Sequence, residues 1–573
     1  MPNMTLDSVL VWRRLSNLAF QDSSSSWQNM NGRPATAALI VLLPFLITYL
    51  ITLFKASWVI YYGHKPGACP PTAPYAVPLV DNTIQFASDP HGYIAKMLKY
   101  FRGLPFRLRV GTDTMYYLPH GEMLKAFLKN SQETTSKPST IFAMRDVFGL
   151  SAADLEIMIH DDSGSATKPA SGYEDMDPRH RYFYTAHRLT ATLLSGTALD
   201  AMTALFVANF TKRLRTTGEV SEESWTEIPD LYRFLRDHMF RSSIDAFYGD
   251  HLFRLFPDFA NLFWTFDKSA ITIFLRRIPR WMAPKAYRHR DKIIAAVQAW
   301  GEHAQKHYDY EDQDLAKAEW EPLWGSRLVR ARDIAFRNNG YSPAGAAAHE
   351  LGLMWAINAN AVPATFWALY GTINTDPSSN LVFRVLAETE AVSTTTARNP
   401  ISAAGLRVGD WTITEQNAIV LSMSWFGAND ATLWNNHNHR HPVNSFWAER
   451  FLEYPDDPFS GPLAAKTGTN TAQKESKKKC DEKPKTAEDD KTATLVTSGI
   501  QNHFYPYGGG SKICPGRFFA KQEIITAVAT MLSEFEIDLL PTEKKVGFNM
   551  SYFAAGTMPP DRTVPARIRR RRR

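Results

Sequence analysis

The amino-acid sequence predicts a mainly α-helical globular body held behind a single membrane-spanning helix. Three observations lead there. An uncharged apolar run lies near the start, helical patterning dominates from about Asp81 onward, and a glycine-rich turn presents one cysteine to the beginning of an amphipathic helix.

The apolar run is Ala35 to Phe54, ATAALIVLLPFLITYLITLF. Its length gives a rise of roughly 30 Å, about one hydrocarbon core. A cleaved signal peptide would lie closer to the start and end in small residues, so residues 35–55 read as a transmembrane anchor and 1–34 as an N-terminal extension. Residues 56–80 follow as a hinge, because Pro66, Pro70, Pro71, Pro74 and Pro78 favour a stiff, extended connector. Lys55 and Lys65 lie on one side of the span, and Arg13, Arg14 and Arg33 on the other, so flanking charge does not fix orientation.

Residues 81–573 form the body. With 44% hydrophobic and 21% charged side chains, the chain supports a folded core. Residues 455–499, which include QKESKKKCDEKPKTAEDDK, carry too few large apolar groups to offset the entropy of ordering and read as a disordered insertion. The net charge of +6 is carried by six arginines between Arg567 and Arg573, so the rest is neutral. A nucleic-acid enzyme spreads its basic patch over a folded face, which argues against a nucleic-acid partner. The arginine run reads either as solvated or as touching an anionic membrane surface.

The three cysteines, Cys69, Cys480 and Cys514, are too few for a disulfide framework and match no zinc spacing, which places the body in a reducing compartment. Only Cys514 has an informative context, YPYGGGSKICPGRFFAKQEII from Tyr505 to Ile525. Glycines allow a tight bulge and close approach to a flat ligand. The helix that follows aims partial positive charge at the sulfur, which is expected to lower the thiol pKa and suit a metal ligand.

This stretch resembles the cytochrome P-450 signature, Phe-x-x-Gly-x-Arg-x-Cys-x-Gly, through Tyr507, Gly510, Lys512, Cys514 and Gly516, with Tyr for Phe and Lys for Arg. The resemblance implies a mainly α fold with small β-sheets, haem b as cofactor, Cys514 as axial ligand of its iron, and Lys512 near a haem propionate. PVNSFWAERF, with Arg450, resembles the segment that locks the core beside the cysteine loop. RVLAETEAV resembles the Glu-x-x-Arg helix, with Glu388 as the acid but Ala391 where the arginine belongs; Arg450 or Arg384 then becomes the partner of Glu388. Arg398 falls where a further propionate partner is placed, and another is sought at His187 or Arg188 in RHRYFYTAHR.

Pro343 to Thr372 reads as the central helix, with Ser342 as N-cap. Its WAINANAVPATFWALY aligns with the oxygen-activating helix of the family, putting Ala359 and Asn360 at the positions of the acid and threonine that deliver protons. Pro363 removes one backbone hydrogen bond and is expected to kink the helix. This pattern resembles the branch that holds sterol 7α- and 12α-hydroxylases and prostacyclin synthase.

The resemblance implies a monooxygenase that inserts one atom of O2 into an apolar small molecule, such as a sterol, terpenoid or other secondary metabolite. Electrons come from NADPH–cytochrome P-450 reductase, since no flavin or dinucleotide module is visible. The implied setting is the endoplasmic reticulum membrane, single-pass, with a cytosolic catalytic domain. Two alternatives stay open: a peroxide-rearranging isomerase of the prostacyclin synthase kind, and a non-catalytic haem- or sterol-binding protein.

Overall fold

A computed structural model describes residues 33–375, 395–400, 406–415, 418–437, 440–457, 459–464, 489 and 492–571. Helix α1 (Arg33–Tyr62) is, among the described residues, the one helix long and apolar enough to cross a membrane; its span, Ile40–Tyr62, has mean hydropathy 2.0. It runs past Lys55 into residues expected to be hinge. The reason is packing: Ala56 is buried, Ile60 joins an aromatic cluster, and the Ser57 and Tyr100 hydroxyls lie 2.9 Å apart. The prolines that follow are laid against a sheet. Arg107 N–H donates to the Pro71 carbonyl, and Ala73 N–H to the Arg107 carbonyl, each at 2.8 Å.

That sheet has five strands: β1 (Phe106–Val110), β2 (Asp113–Tyr117), β3 (Thr134–Thr135), β5 (Thr395–Pro400) and β6 (Ile419–Met423), in the order β1-β2-β6-β5-β3. Only the β2–β6 pairing is parallel. Its inner face carries Phe106, Leu108, Tyr117 and Leu421.

The larger part of the body is helical. Helices α2 (Glu122–Lys129), α3 (Tyr182–Leu193), α4 (Gly196–Thr216), α5 (Leu231–Tyr248), α6 (Phe259–Ser269), α7 (Pro284–His307), α8 (Arg327–Asn338), α9 (Pro343–Ile373), α10 (Ser424–Ala428) and α11 (Arg517–Glu534) include all those used below. One core joins α4, α5, α7, α9 and α11 through Phe206, Phe210, Phe240, Trp300, Leu369 and Met531. Burying side chains of this size stabilises by about 2 kcal/mol each. Helix α9 begins as the sequence predicts: the Ser342 hydroxyl accepts from Gly345 N–H at 3.0 Å, while its own N–H and O–H donate to Asp154. The helix continues unbroken through Pro363. A buried ion pair ties it to its neighbours, Arg332 Nε donating to Glu350 Oε1 at 2.7 Å and Tyr248 O–H to Oε2 at 2.9 Å.

The start of the arginine run is held in a strand, with the side chains of Arg567 and Arg571 exposed to solvent. Ala566–Arg570 forms β8, the middle strand of a sheet between β7 (Phe535–Leu539) and β4 (Thr226–Ile228). Arg567 stands opposite Asp538 and Arg569 opposite Glu536, and each pair forms an ion pair. Both guanidinium groups pack over the Trp225 ring at 4.8 Å, and Ile568 fills the other face. Alternation decides this, since residues two apart share a face. Of the expected insertion, 465–488 lie outside the described residues. Its margins are ordered: Thr494–Leu495 pairs with Leu452–Glu453, and Leu463 bridges to Trp434.

Helix α11 carries a buried acid, Glu523, facing α5. The Ser243 hydroxyl donates to Oε1, and Oε2 has no hydrogen-bond partner among the described residues. Burial raises its pKa from 4.5 to about 8, opposed by the Ser243 bond. The unfolded chain releases this proton near the ordinary carboxylate pKa whereas the folded chain keeps it, so stability falls as pH rises from about 4.5 to about 8. Glu523→Gln is therefore expected to flatten the loss of thermal midpoint across that window and to match the parent below it. A parallel decline in both proteins, followed by calorimetry, counts against the assignment.

Candidate active site

The cysteine loop closes on itself. Gly508 N–H donates to the Tyr505 carbonyl and Cys514 N–H to the Tyr507 carbonyl, both at 3.0 Å, so Tyr507 and Cys514 form the neck of the bulge. The loop is fixed at its start by Tyr505, which is buried with its hydroxyl 2.9 Å from that of Ser422 on β6. Gly510 has φ +61°, and a Cβ there would lie 2.4 Å from Ser131 Oγ. Glycine is thus required twice, for its left-handed backbone and for the close approach of the segment after α2. Lys521, one turn into α11, lies 5.5 Å from the Tyr507 ring centre.

Gly516 caps α11 directly after Pro515, and the N–H groups of Gly516 and Arg517 point at the Cys514 sulfur. The Arg517 guanidinium donates to the Cys514 carbonyl at 2.9 Å. The side chain of Cys514 is exposed, available to a ligand rather than sealed in the core. The expectation of a lowered thiol pKa is corrected. Enough protein crowds the exposed sulfur that desolvation raises its pKa, outweighing the two N–H groups and the charge of Arg517. The helix N-terminus acts in the predicted direction but is the smaller effect.

Beside the loop, the structure brings Lys512 and His187 together. Lys512 Nζ donates to Ser165 Oγ, and its charge, after burial, lowers the pKa of His187 on α3. Arg188, the other candidate, is exposed and lies over the Tyr184 ring at 5.9 Å. Arg181 was not singled out in RHRYFYTAHR, yet it organises this corner. Fully buried, it donates to the Ser163 hydroxyl and to the carbonyls of Ser163, Gly164, Ala166 and Thr167. That places Ser165 for Lys512. The only sequence signal was an arginine directly before a helix.

On α9, Ala359 and Asn360 are half-buried. The Asn360 Oδ1 accepts from Thr557 N–H at 2.9 Å and from its hydroxyl at 3.3 Å. Two turns on, Trp367 Nε1 donates to the Met558 carbonyl at 2.7 Å. A Cβ at Gly556 would lie 2.7 Å from Asn360 Oδ1, so the loop reaches the helix only with glycine there. The amide orientation is thereby set, and Nδ2 donates to no acceptor among the described residues. Pro363 has no N–H, so the Ala359 carbonyl lacks its helical donor.

Arg450 is buried and donates to the carbonyls of Asn435, Pro442 and Ser445, with its guanidinium 5.3 Å from the Trp447 ring centre. It folds its own segment around itself. Glu388, Arg384 and Ala391 lie outside the described residues. Arg398 is placed by its backbone only, in β5 opposite Val420.

An accessible thiol at a helix start, a closed glycine bulge, and a cation and an imidazole at its side suit a flat, anionic, iron-bearing macrocycle. Comparison with known proteins agrees. The family model "Cytochrome P450" matches residues 489–563. The chain is 32% identical over 570 residues to cytochrome P450 monooxygenase fsoE of Humicola fuscoatra, covering 92% of each. It is 30% identical to cytochrome P450 monooxygenase efuG of Hormonema carpetanum, over 93% of this chain and 96% of that one. At greater distance, the 25-hydroxycholesterol 7-alpha-hydroxylase of Rattus norvegicus is 26% identical over 43% of this chain and 59% of its own.

The double demand on Gly510 is testable against Gly111, which also has positive φ (+59°) but open space where a Cβ would sit. Gly111→Ala is expected to cost about 1 kcal/mol for the backbone alone. Gly510→Ala adds the collision with Ser131 and is expected to cost at least about 2 kcal/mol more. Denaturant unfolding measures both. Equal losses would show that the loop can move away from α2.

Proposed function

The chain belongs to the cytochrome P450 family, and from that premise we propose that it is a haem-thiolate monooxygenase acting on an apolar small molecule. The observation that carries this reading is the accessible Cys514 sulfur, in a closed bulge at the N-terminus of α11. The described residues fit haem b: Cys514 as iron ligand, Tyr507, Gly510 and Gly516 shaping the loop, and Lys512 and His187 toward its carboxylates, the role the resemblance also gives Arg398. By the same resemblance, Glu388 and Arg450 are assigned to holding the core beside it. When bound, the haem supplies dioxygen activation and transfer of one oxygen atom to a substrate C–H bond, with electrons from NADPH through cytochrome P-450 reductase.

The chain's own residues orient and supply protons. Ala359 offers no acid, so a proton reaches the distal side through Asn360, water or the substrate itself. Asn360 is suited to this because Thr557 holds its carbonyl and leaves its amide N–H groups available. Residues 35–55 lie in the anchor, 56–80 form the link to the body, and 81–573 make up the catalytic domain, with its insertion at 455–499. That arrangement fits a single-pass protein of the endoplasmic reticulum membrane with a cytosolic catalytic domain. A sterol is the substrate class that the more distant relative's name suggests, with a terpenoid or other secondary metabolite as the alternative. A second reading, rearrangement of a peroxide without O2 or reductase, also fits the missing acid at Ala359, which does not discriminate between the two.

The reduced, carbon monoxide difference spectrum is the first test. The parent is expected to show the long-wavelength Soret band of thiolate ligation, and Cys514→Ala to lose it. The same band in both proteins would remove Cys514 from the iron. Asn360→Ala is expected to keep the band and to lower substrate oxidised per NADPH consumed by about tenfold or more. Unchanged coupling would take Asn360 out of proton delivery. Turnover of an organic peroxide without reductase, with none from NADPH, would favour the isomerase.

A further inference from the structure

Away from the cysteine sulfur, three segments far apart in sequence meet at one point. His120 follows β2, Asp430 follows α10, and His503 lies just before Tyr505 and the cysteine loop. His120 Nδ1 and His503 Nδ1 are 2.8 Å apart, and His120 Nε2 is 3.7 Å from Asp430 Oδ2. The other oxygen of Asp430, Oδ1, is taken by the N–H and hydroxyl of Thr432, which fixes the carboxylate and leaves Oδ2 toward the rings. The backbone holds the rings in place: Gly121 N–H donates to the Asn502 carbonyl at 2.9 Å, and Gly427 packs so closely on the His503 carbonyl that a Cβ would lie 2.3 Å from it.

We propose that His120, Asp430 and His503 form a divalent transition-metal site, with zinc as the ion of choice, that clips the cysteine loop to α10 and to the turn before α2. Each residue offers one ligand atom, and the three atoms lie within 4.8 Å of one another, the only such group among the described residues. Zinc holds imidazole nitrogen at about 2.0–2.1 Å and carboxylate oxygen at about 2.0–2.2 Å, which sets tetrahedral ligands roughly 3.3 Å apart. Two imidazoles and one carboxylate match the ligand preference of zinc and leave a fourth position for water. The carboxylate gives the site a negative charge, and Glu122, which also acts electrostatically on His503, adds to the field. The ligand set is independent of the haem assignment.

Equilibrium dialysis of the tag-free full chain against zinc, with metal measured by mass spectrometry, tests this. The parent is expected to take up one zinc that His120→Ala and His503→Ala do not. Asp430→Asn is expected to bind it at least about tenfold more weakly. Zinc should also raise the thermal midpoint of the parent and not of His120→Ala. The thermal midpoints of the parent and the variants in chelator separate loss of the metal from loss of the fold. The proposal is overturned if the parent takes up no zinc. It is equally overturned if the variants bind as tightly as the parent, which would put the ion on another histidine pair such as His303 and His307 on α7.

Discussion

The hydrogen bond from Cys514 N–H to the Tyr507 carbonyl is the constraint on which the site depends. It closes the bulge, and only a closed bulge can hold a sulfur at the start of α11 without burying it. The glycines follow from that closure, since the chain must turn through left-handed backbone against the segment after α2. So does the anchoring of Tyr505 to β6, which links the loop to the five-stranded sheet. The sulfur is therefore positioned from two sides, by a helix that continues away from it and by a strand behind it.

Helix α9 is built differently. Helix α9 is held at its start by Asp154 and Ser342, along its first half by the Arg332–Glu350–Tyr248 network, and further along by the loop through Thr557 and Met558. Removing one member of a buried charged network leaves the others unpaired in low dielectric. The helix that carries Ala359 and Asn360 is thus rigid at three heights, and Pro363 sits in a stretch whose neighbours are fixed independently of the backbone ladder. This explains why the proline interrupts one hydrogen bond without ending the helix.

What the sequence made legible was local. The cysteine loop, the N-cap at Ser342 and the apolar run before Lys55 each declare themselves within a few residues. The thiol pKa was expected in the wrong direction because a helix N-terminus is visible in sequence and desolvation is not. Partners distant along the chain were equally invisible: nothing near Asn360 announces Thr557, and nothing near Lys512 announces Ser165. The strand within the arginine run was missed for another reason. Charge described its solvent-facing side chains, whereas the alternation in Ala-Arg-Ile-Arg-Arg is a strand pattern, matched by Glu536 and Asp538 two residues apart on β7. The anchor helix outran its predicted end because Lys55 was taken as a boundary, while Ala56 and Ile60 pack on the body.

The placement of β8 bears on how the protein comes into being. A strand at Ala566–Arg570 lies between partners at Phe535–Leu539 and Thr226–Ile228, so the early strand has no neighbour in that sheet until the late one has been made. Helices α4 and α5, which flank the early strand, emerge from the ribosome long before the segment that completes their edge. A nascent chain would wait, with Ile228 unpaired in that sheet, until the segment at Ala566–Arg570 has been made. Completion of this sheet therefore waits on a pairing between segments far apart in the chain, the slow kind of contact in folding.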